Sequence, residues 1–117
     1  MKILLVEDNA LTRSMIKALL AELGHEVISE AENASEAIKH FMELKPDVVF
    51  LDLILPGKSG LEVLKDLRNI APQTKVVVIT AVDQAEIDRL LSDKGIYAIL
   101  RKPFSFGDFK TLINDLA

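Results

Sequence analysis

The segment Val48-Val49-Phe50-Leu51-Asp52 is the clearest indication of the fold of this chain. Its first four residues are an apolar run of strand length without polar alternation, which is typical of a strand buried on both faces. Such strands lie in parallel sheets that helices cover above and below. Three further runs of this kind occur, at Ile3-Leu4-Leu5-Val6, Val76-Val77-Val78-Ile79 and Tyr97-Ala98-Ile99-Leu100, and a weaker strand at His25 to Ala31 makes five.

The segments between these strands have helical periodicity. Apolar residues recur every three or four positions, as they do at Ala34, Ala37, Ile38 and Phe41. Capping residues predict helix starts at Ser59, Asp83 and Ser105, and glycines mark helix ends at Gly24 and Gly95. The alternation of strands with helices predicts a doubly wound α/β domain with a five-stranded parallel sheet and five helices. We expect residues 1–117 to form this single domain.

Composition and charge exclude several classes of protein. Of the 117 residues, 50% are hydrophobic and 27% are charged, so a packed core can form. The chain has no cysteine, which excludes disulfides and thiolate metal sites. Its net charge is -4 and its basic residues are scattered, so we expect no direct contact with nucleic acid. No apolar window reaches the ~18 residues of a membrane span, and we expect a soluble protein with no membrane contact.

Chemically capable side chains follow the strongest strands. In sheets of this class the functional crevice lies outside the carboxyl ends of the strands. The residues at these ends are Glu7 and Asp8, Asp52, Thr80 and Lys102. Taken singly, each residue has an ordinary interpretation. Glu7 and Asp8 would be solvated loop acids, Asp52 a cap, Thr80 a strand threonine and Lys102 a surface lysine. Taken together, the acids would repel one another and favour a hard cation such as Mg²⁺.

A carboxylate, a bound cation, a lysine and a hydroxyl donor together can accept a phosphoryl group. The cation and Lys102 would neutralise the equatorial phosphoryl oxygens while a carboxylate attacks in line. Asp52 is the natural nucleophile because it follows the buried residues Phe50 and Leu51 directly.

The motifs that carry these residues resemble those of response-regulator receiver domains over the whole chain. The resemblance rests on Glu7-Asp8 as the acidic pair, Asp52 with Pro56 and Gly60 at the family spacing, Thr80-Ala81, and Lys102-Pro103-Phe104. It implies the flavodoxin-like receiver fold, with Asp52 as the phosphoacceptor and a cis peptide bond before Pro103. It also implies that Glu7, Asp8, Asp52 and the backbone carbonyl of Ile54 hold Mg²⁺.

The resemblance further implies a cytoplasmic switch of a two-component system or phosphorelay. Such a domain catalyses its own phosphorylation and dephosphorylation without being an enzyme for other substrates. A sensor histidine kinase or a histidine phosphotransfer protein would supply the phosphoryl group. Thr80 and Lys102 would then move inward and remodel the surface formed by the fourth helix, the fifth strand and the fifth helix, which an unidentified downstream protein would bind. The protein would be a monomer or a phosphorylation-dependent dimer that acts in trans.

The chain departs from the family pattern at three places. Ile99 stands where the family usually has an aromatic switch residue, and Tyr97 on the same side of the strand is the possible substitute. Glu7 replaces the commoner aspartate. Ile54 and Val82, which flank the phosphate in the family, are both apolar, and we expect them to hinder an attacking water and lengthen the phosphorylated lifetime.

Other interpretations of the sequence remain open at this stage. A flavodoxin-like electron carrier would need a hydroxyl- and glycine-rich phosphate loop where this chain has Glu7-Asp8-Asn9. A haloacid-dehalogenase-like phosphatase would place an aspartate where this chain has Ile54. The chain could also be the receiver part of a longer regulator. Arg13 and Lys17, on the first predicted helix, are expected to be solvated.

Overall fold

The apolar runs of the sequence become the strands of a single sheet. We describe residues 1–81, 85, 96 and 98–116 of a computed structural model. The strands are β1 (Lys2–Val6), β2 (Glu26–Ala31), β3 (Val48–Asp52), β4 (Lys75–Thr80) and β5 (Ala98–Arg101). They pair in the order β2-β1-β3-β4-β5, and every pair is parallel. The predicted five-stranded parallel sheet is therefore confirmed.

Helices connect the strands and cover both faces of the sheet. They are α1 (Ala10–Glu22), α2 (Ala34–Leu44), α3 (Gly60–Ile70) and the C-terminal helix (Phe106–Leu116). Some predictions fall outside the described residues. They concern the helix predicted to start at Asp83 and end at Gly95, and the residues Val82 and Tyr97. None of the helices in the described ranges is long and apolar enough to cross a membrane.

Local capping explains where the helices begin. The side chain of Ser59 accepts a hydrogen bond from the Glu62 amide, which confirms the predicted start of α3. Ser105 Oγ accepts from the Asp108 amide at 3.0 Å, so the C-terminal helix begins at its predicted cap. Asn9 and Asn33 cap α1 and α2 in the same way, at positions where no helix start was predicted.

The core has two layers because the side chains of each buried strand alternate between the two faces. On β3, Val49 and Leu51 belong to the cluster that packs with α2 and α3, and Val48 and Phe50 belong to the cluster that packs with α1 and the C-terminal helix. The continuous apolar runs predicted burial on both faces, and β1, β3 and β4 confirm it, whereas β5 is only partly buried because it lies at the edge of the sheet.

The order of the strands determines where the site lies. Strand β2 pairs with one side of β1, and β3 pairs with the other side. The strand order therefore reverses between β1 and β3. The register pairs Val6 with Leu51 across these strands. Glu7, which follows β1, and Asp52, the last residue of β3, therefore lie side by side at the carboxyl edge of the sheet.

Candidate metal centre and phosphoryl site

Three carboxylates from two strand ends converge at this edge. One oxygen each from Glu7, Asp8 and Asp52 lies within 4.8 Å of the others. Glu7 is only 1% exposed and Asp52 only 4%, whereas Asp8 is exposed. Two carboxylates about 4 Å apart repel by roughly 4 kcal/mol at an effective dielectric near 20. The cluster therefore needs positive charge close to it.

Lys102 supplies positive charge from the end of the edge strand β5, two strands away from β3. Its Nζ donates to Glu7 Oε1 at 2.6 Å and to Asp52 Oδ2 at 3.0 Å. Lys102 follows β5, its amide donates to the Thr80 carbonyl at 2.7 Å, and the Lys102-Pro103 peptide bond is cis. One ammonium thus bridges the two buried carboxylates. Asp8 is the exposed member of the cluster.

The loop after β3 holds the other oxygen of Asp52. The Ile54 amide donates to Asp52 Oδ1 at 2.9 Å, which forms a turn of the Asx type. The Gly60 amide donates to the Leu53 carbonyl at 2.9 Å, and a Cβ on Gly60 would lie 2.3 Å from the Asp52 backbone oxygen. The start of α3 therefore packs directly against the strand end that presents Asp52.

Burial and charge shift the protonation of two groups in the cluster. Burial, together with the nearby Asp52 carboxylate, raises the pKa of Glu7 to about 7, although Lys102 acts in the opposite direction. Burial alone would lower the pKa of Lys102, but its hydrogen bonds to Glu7 and Asp52 outweigh this effect, and the pKa is raised. Near neutral pH, Lys102 is therefore charged and Glu7 is close to the midpoint of its titration.

The remaining predicted residues lie at different distances from the cluster. Thr80 is fully buried at the end of β4, one residue beyond Ile79, which is the partner of Asp52 in the sheet. The side chain of Ile54 is 61% exposed beside the site. Ile99 lies on β5 and packs, partly buried, against the core layer of α2 and α3. Tyr97 has no described position.

Arg13 was expected to be solvated, and that prediction was wrong. Its side chain is only 13% exposed, and its guanidinium donates to the backbone carbonyls of Glu7 at 2.8 Å and Asp8 at 3.3 Å. The error has a physical reason. Arg13 lies one turn into α1, and its carboxylate partners Glu30 and Glu32 are remote in sequence, at the end of β2 and just after it. Lys17 is half exposed, as expected, but it also pairs with Glu30.

The cluster has the chemistry of a site for a hard cation. Its donors are carboxylate oxygens, which suit Mg²⁺, and it contains no sulfur or imidazole donor of the kind that selects zinc or copper. Glu7, Asp8 and Asp52 offer three carboxylate groups close together, and Lys102 offsets part of their negative charge. The residues present therefore fit magnesium.

Comparison with known proteins places the chain in a family. The sequence model of the response regulator receiver domain family matches residues 3–114, and the chain belongs to this family. It is 38% identical over 104 residues to the chemotaxis protein CheY of Listeria monocytogenes, covering 89% of this chain and 87% of that protein. It is 34% identical over 103 residues to CheY of Thermotoga maritima, covering 88% and 86%.

A solved structure shares the same architecture. A chain of the crystal structure of the CheX-CheY-BeF3-Mg complex from Borrelia burgdorferi superposes with a TM-score of 0.92 at 20% identity, covering 98% of this chain and 87% of that chain. The predicted receiver fold is thereby confirmed. Membership in the receiver family also decides against the flavodoxin-like electron carrier that the sequence left open.

Proposed function

We propose that this receiver domain is a phosphorylation-activated switch that accepts a phosphoryl group on Asp52. The observation that carries the proposal is the cluster of Glu7, Asp8 and Asp52, in which Lys102 bridges the two buried members. The phosphoryl donor is the phosphohistidine of a sensor histidine kinase or of a histidine phosphotransfer protein.

The chemistry is a transfer between two protein side chains. An Asp52 carboxylate oxygen attacks phosphorus in line, the bond between phosphorus and the histidine nitrogen breaks, and the electron pair returns to the imidazole. Lys102 stays protonated and offsets the negative charge on the phosphoryl oxygens. Mg²⁺, held by Glu7, Asp8, Asp52 and the Ile54 carbonyl, supplies further positive charge to those oxygens when it is bound. Hydrolysis of the acyl phosphate by water resets the switch.

The surface around β5 is the one that changes on phosphorylation and that the downstream protein binds. We propose that Thr80 moves toward the phosphoryl group, and that Ile99 and Tyr97 respond at the rim, so that the face formed by the predicted fourth helix, β5 and the C-terminal helix changes shape. A downstream protein, not nucleic acid, reads this face. The Borrelia structure, in which a CheY relative is named in complex with CheX, supports a protein partner. We place the protein in the cytoplasm, as a monomer or as a phosphorylation-dependent dimer.

The proposal is tested by intact mass spectrometry after incubation with a small phosphodonor such as acetyl phosphate. We expect one phosphoryl group on the wild type with Mg²⁺, none without Mg²⁺, and none on Asp52→Asn. Asp66→Asn is the matched control, because Asp66 lies in an exposed ion pair with Lys58 away from the cluster, and it should be labelled like the wild type. Equal labelling of Asp52→Asn would place the acceptor elsewhere and reject the proposal.

A further inference from the structure

Arg13 connects the two acidic residues that follow β1, Glu7 and Asp8, to the end of β2 and the residue after it. Its Nη1 donates to the carbonyl of Glu7 at 2.8 Å and to the carbonyl of Asp8 at 3.3 Å. Its Nε donates to Glu30 at 3.3 Å, and its Nη2 donates to Glu32 at 3.2 Å. One planar guanidinium therefore joins two consecutive peptide groups to two carboxylates in a nearly buried position.

The charge of this network is balanced within the network itself. Arg13 and Lys17 carry two positive charges, and Glu30 and Glu32 carry two negative charges. Little net charge is left to act on the acidic cluster. The contribution of Arg13 to that cluster is therefore geometric, through the two backbone carbonyls that it holds.

We propose that Arg13 is a positioning residue for the cation site, an inference that rests on the proposed function. The side chains of Glu7 and Asp8 project from the two peptide groups that the guanidinium holds. Lys102 already bridges Glu7 and Asp52. Without the restraint from Arg13, however, the exposed Asp8 would turn away from them to reduce its repulsion. Arg13 keeps their oxygens converging before the ion arrives, so less ordering is needed at binding.

Lysine cannot replace arginine in this role. Its single ammonium has three donors and no planar fork, so it cannot reach two carbonyls and two carboxylates at once. The variant Arg13→Lys therefore keeps the charge and removes the geometry. Lys17→Ala is the matched control, because it removes the other cation that contacts Glu30 but leaves both carbonyl contacts in place.

The test is the Mg²⁺ dissociation constant, measured by calorimetry on the folded wild type and on each variant. Loss of groups that orient metal ligands typically weakens metal binding by about 10- to 100-fold. We expect Arg13→Ala and Arg13→Lys each to raise the constant at least fivefold, and Lys17→Ala to leave it within twofold. A change of less than fivefold in Arg13→Lys would overturn the inference, and this variant carries the test if Arg13→Ala does not fold.

Hydrogen exchange gives a second readout that needs no metal. The Asn9 amide donates to Glu7 Oε2 at 3.3 Å, so it should exchange faster in Arg13→Lys than in the wild type, and at the wild-type rate in Lys17→Ala. Unchanged exchange in Arg13→Lys would contradict the restraint. Failure of the wild type itself to bind Mg²⁺ would overturn the proposed function as well, whereas normal binding in every variant would overturn only the role of Arg13.

Discussion

Asp52 is a buried carboxylate that shares its surroundings with two other carboxylates and one ammonium. We expect Asp52→Asn to stabilise the metal-free protein by on the order of 1 kcal/mol, because it removes a desolvated charge and two repulsions at the loss of one attraction. Asparagine keeps an oxygen that can accept from the Ile54 amide. Urea unfolding without Mg²⁺ measures the effect, with Asp66→Asn as a control expected within about 0.5 kcal/mol of the wild type. A less stable Asp52→Asn would mean that Asp52 is mainly a structural cap.

Glu7 is the group whose protonation the cluster changes most clearly. Its pKa is raised to about 7, first by burial and then by Asp52. We expect the side-chain carboxyl carbon of Glu7 to titrate with a midpoint near 7 in carbon NMR of the metal-free protein. In Asp52→Asn the midpoint should move to lower pH, because one cause of the shift is removed. A wild-type midpoint at the ordinary value near 4.5 would contradict the described geometry.

At the scale of elements, the approach of α3 to the end of β3 decides how firmly Asp52 is held. A Cβ at Gly60 would lie 2.3 Å from the Asp52 carbonyl oxygen and 2.5 Å from Leu53 Cα, and neither backbone atom can yield without moving the strand end. We expect Gly60→Ala to destabilise the fold by about 2 kcal/mol or more and to slow labelling of Asp52.

Gly107→Ala is the matched control for this substitution. Gly107 lies in the C-terminal helix, and among the described residues its added Cβ would meet one atom, Ser105 Oγ, at 3.7 Å. Alanine is the better helix former, so this variant should gain about 0.5 to 1 kcal/mol. Thermal unfolding of both variants measures the contrast. Equal effects of the two substitutions would mean that the close approach of α3 to β3 does not affect the free energy of unfolding.

The three central strands, β1, β3 and β4, could be predicted from the sequence because they are buried on both faces. The run Val48 to Leu51 differs from β3 by one residue, and the weaker prediction at His25 to Ala31 matches the edge strand β2 to within one residue. The strand ends in turn predicted which carboxylates meet. The contacts of Arg13 could not be predicted, since its choice of Glu30 and Glu32 depends on how α1 packs beside β2. The unequal exposure of Glu7 and Asp8 likewise follows from the packed structure.

At the scale of the whole molecule, the cation site couples metal binding to the stability of the fold. Mg²⁺ at ~100 times its dissociation constant should add about 2.7 kcal/mol, which corresponds to a rise in Tm on the order of 10 °C for a domain of this size. Differential scanning calorimetry with and without Mg²⁺ measures the shift. Asp8→Asn should lose most of it, and an unchanged Tm in the wild type at millimolar Mg²⁺ would count against the site.

The size of this Mg²⁺ effect should depend on pH in a direction that Glu7 determines. Between about pH 4.5 and 7 the folded state keeps a proton on Glu7 that the unfolded state releases, so metal-free stability falls as pH rises through this window. Mg²⁺ binds the deprotonated carboxylate, so its stabilising effect should grow over the same range. A Tm shift that is constant from pH 5.5 to 8 would contradict this linkage.

The most direct measurement is a crystal structure of the protein with Mg²⁺ and beryllofluoride, a small mimic of the phosphoryl group. We predict beryllofluoride bonded to an Asp52 oxygen, Mg²⁺ bound by Glu7, Asp8 and Asp52, and Lys102 turned from Asp52 toward the fluorides. Beryllofluoride absent from Asp52, with the three carboxylates turned apart and no ion between them, would contradict the proposal that Asp52 is phosphorylated at this edge of the sheet.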